Sequence, residues 1–148
     1  MGWLIMKRVD IVKEAKSWLG TKWQHQACLK NVACDCVGLI KGIYQELTGI
    51  KVEITTNYPA AWYLFKKEEW LYKEAKEHLI EIDIQQIRPG DILVFGFYKH
   101  PASHVGILTE QSTFIHSYQD IGQVIETSLD EPWQNRLRYA FSFYGVED

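Results

Sequence analysis

The spacing of the apolar residues changes at Arg88-Pro89-Gly90, and this change constrains the fold more than any other sequence feature. Before this turn signal the apolar residues recur at helical spacing, and after it they form short strand-like runs. The predicted helices cover 8–19, 36–48 and about 60–79, and the predicted strands cover 91–95, 104–109, 113–118, 123–127 and 137–143. Helices followed by a run of strands indicate the α+β class, with N-terminal helices packed on a C-terminal antiparallel sheet of about five strands.

The predicted helices have recognisable buried faces and ends. The first is expected to bury Ile11, Val12, Ala15, Trp18 and Leu19. The second should end at Gly49, and its small residues Gly38 and Gly42 would let another backbone approach closely. For the third, the spacing suggests a buried side made of Trp62, Phe65, Tyr72, Ala75 and Leu79, and Tyr58, Trp62 and Tyr63 are alternatively candidates for a substrate groove.

Residues 1–148 are expected to form a single domain, with a helical part at about 8–80 and a sheet at about 90–145, because no repeat or linker interrupts the chain. A net charge of −3 without a Lys/Arg cluster argues against a nucleic-acid partner. No run of 18 apolar residues predicts a membrane span. The segment before Lys7 and Arg8 is unlike a secretory signal, so we expect synthesis in the cytoplasm without a signal peptide.

Cys36 opens the second predicted helix and is the candidate nucleophile. The positive end of the helix dipole and a nearby imidazolium would lower the pKa of its thiol, whereas Asp35 would raise it. The alternative is an inert buried cysteine. Cys28 and Cys34 fit that inert role better. The odd number of cysteines predicts no disulfide framework, and the lack of a C-x-x-C pair predicts no zinc site.

His104 and His116 lie on two consecutive predicted strands. A hairpin turn centred on Glu110 would place them directly opposite each other, on the same face of the sheet. One ring could then act as a base for Cys36, and the other could hold that ring in the required tautomer.

These motifs resemble, in order and spacing over roughly residues 10–145, the NlpC-type cell-wall cysteine peptidases, a branch of the papain-like group. The matching stretches are Gly20-Thr21-Lys22-Trp23, Asp35-Cys36-Val37-Gly38-Leu39, Pro89-Gly90-Asp91, His104-Val105-Gly106-Ile107 and Ile115-His116. The chain is most similar to the branch found in phages, prophages and gene-transfer agents, through His25-Gln26-Ala27 and Pro132-Trp133 with Arg136. It departs from the family where Trp23 replaces a tyrosine and Val37 replaces a serine.

The resemblance implies a papain-like NlpC-type fold and a site with Cys36 as nucleophile, His104 as base and His116 as orienting residue. The Cys36 backbone N–H would stabilise the oxyanion, with Gln24, His25 or Gln26 as possible side-chain donors. Asp35 is expected either to bind the amine of a stem peptide or to cap the helix. Trp23, Gln24 and His25 are the other candidate substrate-binding residues.

The implied activity is hydrolysis of an amide bond in peptidoglycan stem peptides, with the γ-D-glutamyl–diaminopimelate bond as the expected target and a thioacyl-enzyme intermediate. No metal or organic cofactor is expected. The resemblance also suggests phage tail-tip partners and action in the cell wall or periplasm. Two alternatives remain at this point: a catalytically decayed structural component of a tail, and a metal hydrolase using His100, His104 and His116.

Overall fold

The computed structural model describes residues 5–53 and 69–147. Its strands are β1 Met6–Lys7, β2 Lys22–Trp23, β3 Cys28–Leu29, β4 Ala33–Cys34, β5 Ile80–Ile82, β6 Ile92–Phe95, β7 His104–Leu108, β8 Thr113–Tyr118, β9 Gln123–Ser128, β10 Leu137–Ser142 and β11 Val146–Glu147. Its α-helices are α1 Arg8–Lys16, α2 Cys36–Thr48, α3 Trp70–His78 and α4 Glu131–Arg136, and a single 3₁₀ turn covers Ile84–Gln86. None of the helices in these two ranges is long and apolar enough to cross a membrane.

The main sheet has nine strands in the order β3-β4-β2-β9-β8-β7-β6-β10-β5, and only its β2–β4 pair is parallel. The predicted α+β class is therefore confirmed, and the five predicted strands are β6 to β10. The sheet is larger than predicted because β2, β3, β4 and β5 extend both sides. β1 and β11 form a separate parallel pair next to it.

The central strands are covered on both faces, which explains why the whole of β6 is buried. One face packs against α1 and α2, where Ile107 and Ile115 meet Ile11, Leu39 and Ile43. The opposite face carries the second cluster, formed by Leu93, Phe95, Leu108, Phe114, Trp133 and Ala140. Successive residues of a strand alternate between these two clusters, as the period of two requires.

The first helix is shorter than predicted, because it ends at Lys16 and the chain turns at Ser17. Trp18 is nevertheless buried, and its ring lies so close to Gly42 that a Cβ there would sit 2.2 Å from a ring carbon. The prediction for Gly42 was thus correct about close approach but wrong about the partner, which is a side chain and not a backbone. The prediction that Leu19 is buried was wrong, since Leu19 is 41% exposed.

The second helix has the predicted bounds and the predicted C-terminal cap, because Gly49 adopts the left-handed conformation with φ 72°. The third predicted helix is observed at Trp70–His78, where Leu71 is buried. Tyr72, Ala75 and Leu79 of the predicted buried side are half-buried and pack against the core, as predicted. Tyr58, Trp62, Tyr63 and Phe65 lie outside the described residues.

Candidate active site

Cys36 is the first residue of α2 and lies against the beginning of β7. The backbone N–H groups of Val105 and Val37 are close enough to its sulfur to lower the pKa of the thiol. Val105 directly follows His104, so the sulfur lies next to the strand end that carries this histidine. Cys36 is half-buried as a residue.

Asp35 fixes the beginning of α2 and the loop in front of it at the same time. Its Oδ1 accepts the Gly38 N–H at 2.7 Å, and its Oδ2 accepts the Gln26 N–H at 2.7 Å. The carboxylate is buried, with 4% exposure. The helix-capping role is therefore confirmed, and binding of a stem-peptide amine stays a prediction.

The loop 24–27 touches α2 at Gly38, where only a glycine fits. A Cβ on Gly38 would lie 2.0 Å from the Ala27 carbonyl oxygen. The predicted close backbone approach at Gly38 is therefore present, and it holds the loop beside Cys36. The Cys28 thiol, 3.1 Å from the Gly38 carbonyl oxygen, donates to the same turn.

The other candidate substrate-binding residues lie on β2 and in this loop. Trp23 is half-buried, and its backbone N–H donates to the Gly122 carbonyl at 2.9 Å. Gln24 is exposed, while its backbone N–H donates to the Cys34 carbonyl at 3.2 Å. His25 is half-buried. These positions are close in the chain to the loop held by Asp35, and their roles with substrate stay predictions.

The turn of the β7–β8 hairpin is centred one residue later than predicted. Ile107 pairs with Ile115 and Leu108 pairs with Phe114, so the turn is centred on Gln111 and not on Glu110. This register makes His104 a diagonal neighbour of His116 instead of its direct partner. Both histidines remain on the same face, because the shift changes each partner by two residues.

The two histidine rings are in direct contact despite the diagonal register. His104 Nε2 lies 2.6 Å from His116 Nδ1. His116 Nε2 lies in turn 2.8 Å from Thr127 Oγ1 on β9. His104 uses its Nε2 for this contact, so its Nδ1 is the ring nitrogen that does not face His116.

Gly106 makes room for this diagonal contact. A Cβ at Gly106 would lie 3.2 Å from the His116 Cβ and 2.9 Å from a ring carbon of Phe114. The glycine of the His104-Val105-Gly106 motif is thus a packing requirement of the histidine on the next strand.

An aromatic cluster surrounds the histidines on the face opposite to α2. Trp133 of α4 lies 5.3 Å from the His116 ring and 6.0 Å from the His104 ring, centroid to centroid. Tyr118 stacks on His116 at 5.1 Å. The Arg136 guanidinium covers the Trp133 ring, with 4.8 Å between its central carbon and the ring centroid. The Pro132-Trp133 motif therefore builds the wall of the histidine site.

Burial favours the neutral forms of the groups at this site. Burial raises the pKa of the Cys36 thiol, and the Asp35 charge raises it further. Burial lowers the pKa of His104 to about 3, and burial together with His104 lowers the pKa of His116 to about 2. The expectation that the thiol pKa is lowered was wrong in direction, because burial, reinforced by the Asp35 charge, raises it.

This arrangement can support general-base chemistry in which the proton moves as the sulfur attacks. In such chemistry the thiol and the imidazole both start neutral, so no preformed ion pair is required. The remaining cysteines have structural surroundings. Burial raises the pKa of Cys34 to about 12 and also raises that of Cys28.

The histidines of the metal-hydrolase alternative are not assembled as a metal site. Within residues 5–53 and 69–147, the group of possible metal ligands with donor atoms inside 4.8 Å is Glu74, Glu77 and His78. His104 and His116 direct nitrogen atoms at each other.

Thr127 and the aromatic cluster around the histidines were not predicted from the residues themselves. The sequence did contain one signal for Thr127. Side chains alternate along β9, so Ile125 and Thr127 lie on the same face, and Thr127 is a polar residue at a position facing the core. The signal becomes specific only when the register of β8 against β9 is known.

An α+β fold with a cysteine at a helix N-terminus and two histidines on neighbouring strands is the arrangement of a cysteine-hydrolase-like protein. The sequence profile of the NlpC/P60 family matches residues 17–141. The chain therefore belongs to the NlpC/P60 family.

Individual relatives agree with this assignment. The chain is 23% identical over 130 residues to the gamma-DL-glutamyl hydrolase of Bacillus subtilis (strain 168), covering 87% of the chain and 28% of that relative. It thus spans less than a third of that curated protein. It is similar in structure to the NlpC/p60 domain of the peptidoglycan hydrolase SagA, with a TM-score of 0.66, 21% identity, and coverage of 93% of this chain and all of that one. It is also similar to RipD from Mycobacterium tuberculosis, described as a non-catalytic NlpC/p60 protein adapted to peptidoglycan binding, with a TM-score of 0.58, 15% identity and coverage of 93% and 96%.

Proposed function

We propose that this protein hydrolyses an amide bond in peptidoglycan stem peptides, with Cys36 as nucleophile, His104 as base and His116 as orienting residue. The observation that carries the proposal is the contact between the two rings, at the strand end where the Cys36 sulfur meets the Val105 N–H. Family membership and the peptidoglycan hydrolase SagA support the substrate class.

The reaction follows from the atoms at the site. As the sulfur attacks the substrate carbonyl carbon, the thiol proton passes to His104 Nδ1, and the backbone N–H of Cys36 at the positive end of α2 stabilises the oxyanion. The proton then moves to the leaving nitrogen, the C–N bond breaks, and a thioester with Cys36 remains. Water, deprotonated by His104, attacks the thioester, releasing a carboxylic acid and restoring the thiol.

The γ-D-glutamyl–diaminopimelate bond is the proposed target within the stem peptide. It is supported by the resemblance of the motifs and by the γ-glutamyl specificity in the name of the Bacillus subtilis relative. A γ-glutamyl amide presents a carbonyl on a flexible side-chain arm, which suits a nucleophile that is partly buried at the end of a helix.

Digestion of purified peptidoglycan tests this function. Wild type and the Cys28→Ser control should release fragments with new glutamyl carboxyl and diaminopimelyl amino ends, identified by mass spectrometry, whereas Cys36→Ala should release none. Cys28 is a suitable control because its thiol bonds a backbone carbonyl, which a serine hydroxyl can also do. Equal and negligible release by wild type and Cys36→Ala would contradict the proposal.

A non-catalytic role is the second candidate, favoured by Trp23 and Val37 at positions where relatives carry hydroxyl groups, and by the existence of RipD in this fold. This candidate predicts that wild type and Cys36→Ala sediment with insoluble peptidoglycan equally well and that neither cleaves it. Cleavage by wild type alone would exclude it.

We also propose that the protein acts in the cell wall or periplasm as part of a phage or gene-transfer-agent tail. The support is the resemblance of His25-Gln26-Ala27 and Pro132-Trp133 with Arg136 to that branch. Mass spectrometry of purified particles from the source strain should detect the chain. Its absence from particles, with recovery only from the cytosol, would contradict this assignment.

A further inference from the structure

Thr127 extends the histidine contact by one step onto a third strand. It lies on β9, half-buried, and its Oγ1 is 2.8 Å from His116 Nε2. Because Thr127 pairs with Phe114 and His116 pairs with Ile125, Thr127 is a diagonal neighbour of His116 on the same face. His104, His116 and Thr127 thus form a diagonal line across β7, β8 and β9.

We propose that Thr127 is a positioning residue that sets the tautomer of both histidine rings, by accepting a hydrogen bond from His116 Nε2–H. This inference rests on the proposed function, because it concerns the nitrogen with which His104 would take the thiol proton. It assigns a role to a residue that touches neither the thiol nor the substrate carbonyl.

Two proton arrangements are possible along this line when both rings are neutral. In the first, His104 Nε2–H donates to His116 Nδ1 and His116 Nε2–H donates to Thr127, so His104 Nδ1 carries a free lone pair. In the second, Thr127 donates to His116 Nε2 and His116 Nδ1–H donates to His104 Nε2, so His104 Nδ1 carries the hydrogen. Only the first arrangement leaves a base for Cys36.

The surroundings of the line favour the first arrangement at both ends. The backbone N–H groups of Val105 and Val37 already lie beside the Cys36 sulfur, so a further donor there is unfavourable and the thiol hydrogen needs an acceptor. At the other end, the half-buried Thr127 hydroxyl can donate its hydrogen to water and keep a lone pair for His116. His116 itself is fully buried, so its Nε2–H would have no partner without this oxygen.

Valine at position 127 removes the hydroxyl and keeps the shape of the side chain, while serine keeps the hydroxyl. In Thr127→Val the first arrangement loses its terminal acceptor, and the second loses its terminal donor. The preference for the first arrangement is then reduced to what the Cys36 end supplies, so the second arrangement should gain population and both rings should show a mixture. Because the fraction of His104 with a free Nδ1 falls and the proton acceptor is less stabilised, alkylation at Cys36 should slow by about tenfold.

The experiment uses the full chain labelled with ¹⁵N at histidine and reads the tautomers from ring-nitrogen shifts. Wild type and Thr127→Ser should show His104 and His116 protonated at Nε2, whereas Thr127→Val should show a mixture. The rate of Cys36 alkylation by iodoacetamide, followed by peptide mass spectrometry, should stay within about twofold in Thr127→Ser. Thr113→Val is the control, since that hydroxyl contacts Thr109 and Glu126 and not the histidines.

The proposal is overturned if Thr127→Val keeps the wild-type nitrogen shifts and the wild-type alkylation rate. Thr127→Ala carries the same test if the valine variant does not fold. Neither readout requires peptidoglycan cleavage. A shift of tautomers in a protein that cleaves nothing would contradict only the proposed function. Unchanged tautomers in an active hydrolase would contradict only the role of Thr127.

Discussion

Replacing Gly38 with alanine adds one methyl group and tests whether the close contact between α2 and the loop 24–27 is needed for stability. In most helices Gly→Ala stabilises by up to about 1 kcal/mol, so general helix propensity predicts a gain. Here the new Cβ would lie 2.0 Å from the Ala27 carbonyl oxygen. That oxygen belongs to the backbone, so the loop 24–27 or the end of α2 must move by about 1.4 Å to restore ordinary van der Waals contact.

The movement would disturb bonds that link the loop to Asp35. The Gln26 N–H bonds the buried Asp35 carboxylate at 2.7 Å, and the Asp35 N–H bonds Ala27 at 3.2 Å. Overpacking costs about 1–3 kcal/mol and a hydrogen bond to a charged group about 1.5–3 kcal/mol. We therefore expect Gly38→Ala to lower the free energy of unfolding by about 2–4 kcal/mol, the opposite sign to the general trend.

Urea unfolding followed by circular dichroism measures this change, and alkylation of Cys36 measures its effect on the site. Gly42→Ala is the matched variant, because its Cβ would meet the buried Trp18 ring and not the loop. It should also lower stability, but leave the alkylation rate of Cys36 near that of wild type. A Gly38→Ala protein as stable as wild type, or more stable, would refute the reasoning.

Three further predictions concern charge and protonation. Arg8→Met should destabilise by about 3–5 kcal/mol in chemical unfolding, because it leaves Asp91, bonded to Arg8 at 2.7 Å and 1% exposed, as an unpaired buried charge; an unchanged midpoint would contradict this. The free energy of unfolding should fall as the pH drops from about 6.5 towards 3, because His104 and His116 take up protons more readily in the unfolded chain than in the folded one. The loss should reach up to about 1.4 kcal/mol per pH unit for each histidine. It should be smaller in His104→Phe. Alkylation of Cys36 in the folded protein at pH 7 should be slower than that of free cysteine, since burial raises its pKa, and faster alkylation would show that the thiolate is stabilised after all.

The elements with a long, clear period were predictable from the sequence. The helix Cys36–Thr48 and the strands β6 to β10 were confirmed because each carries several apolar residues at one period and ends at a glycine or a polar turn. β2, β3 and β4 are two residues long, too short for any period, and form only because β9 offers an edge to β2.

The register of the β7–β8 hairpin depends on turn geometry that the sequence pattern did not reveal. Glu110, Gln111 and Ser112 form a three-residue loop closed by the bond from Thr109 N–H to the Thr113 carbonyl at 2.8 Å. Ser112 takes the left-handed conformation with φ 56°, where a glycine would have marked the loop length in the sequence. The prediction that the two histidines lie on the same face of the sheet was still correct. Side chains alternate between the faces along a strand, and the observed register changes each partner by two residues.

The pKa of Cys36 shows why the electrostatics of the site were harder to predict than its position. The helix end was visible in the sequence, but the degree of burial depends on how α2 packs against β7 and how the loop covers Asp35. Desolvation comes from the whole fold, and it reverses the direction that the helix dipole alone would give.

The parallel pairing of β1 with β11 has a mechanical consequence. Met6 pairs with Val146 and Lys7 with Glu147, so the two ends of the described chain leave the domain side by side and in opposite directions along one axis. A pulling force applied through both ends would load this pair in shear, and its hydrogen bonds would have to break together instead of one after another. Tension between the two ends would therefore act on this short pair before it acts on the sheet that holds the histidines.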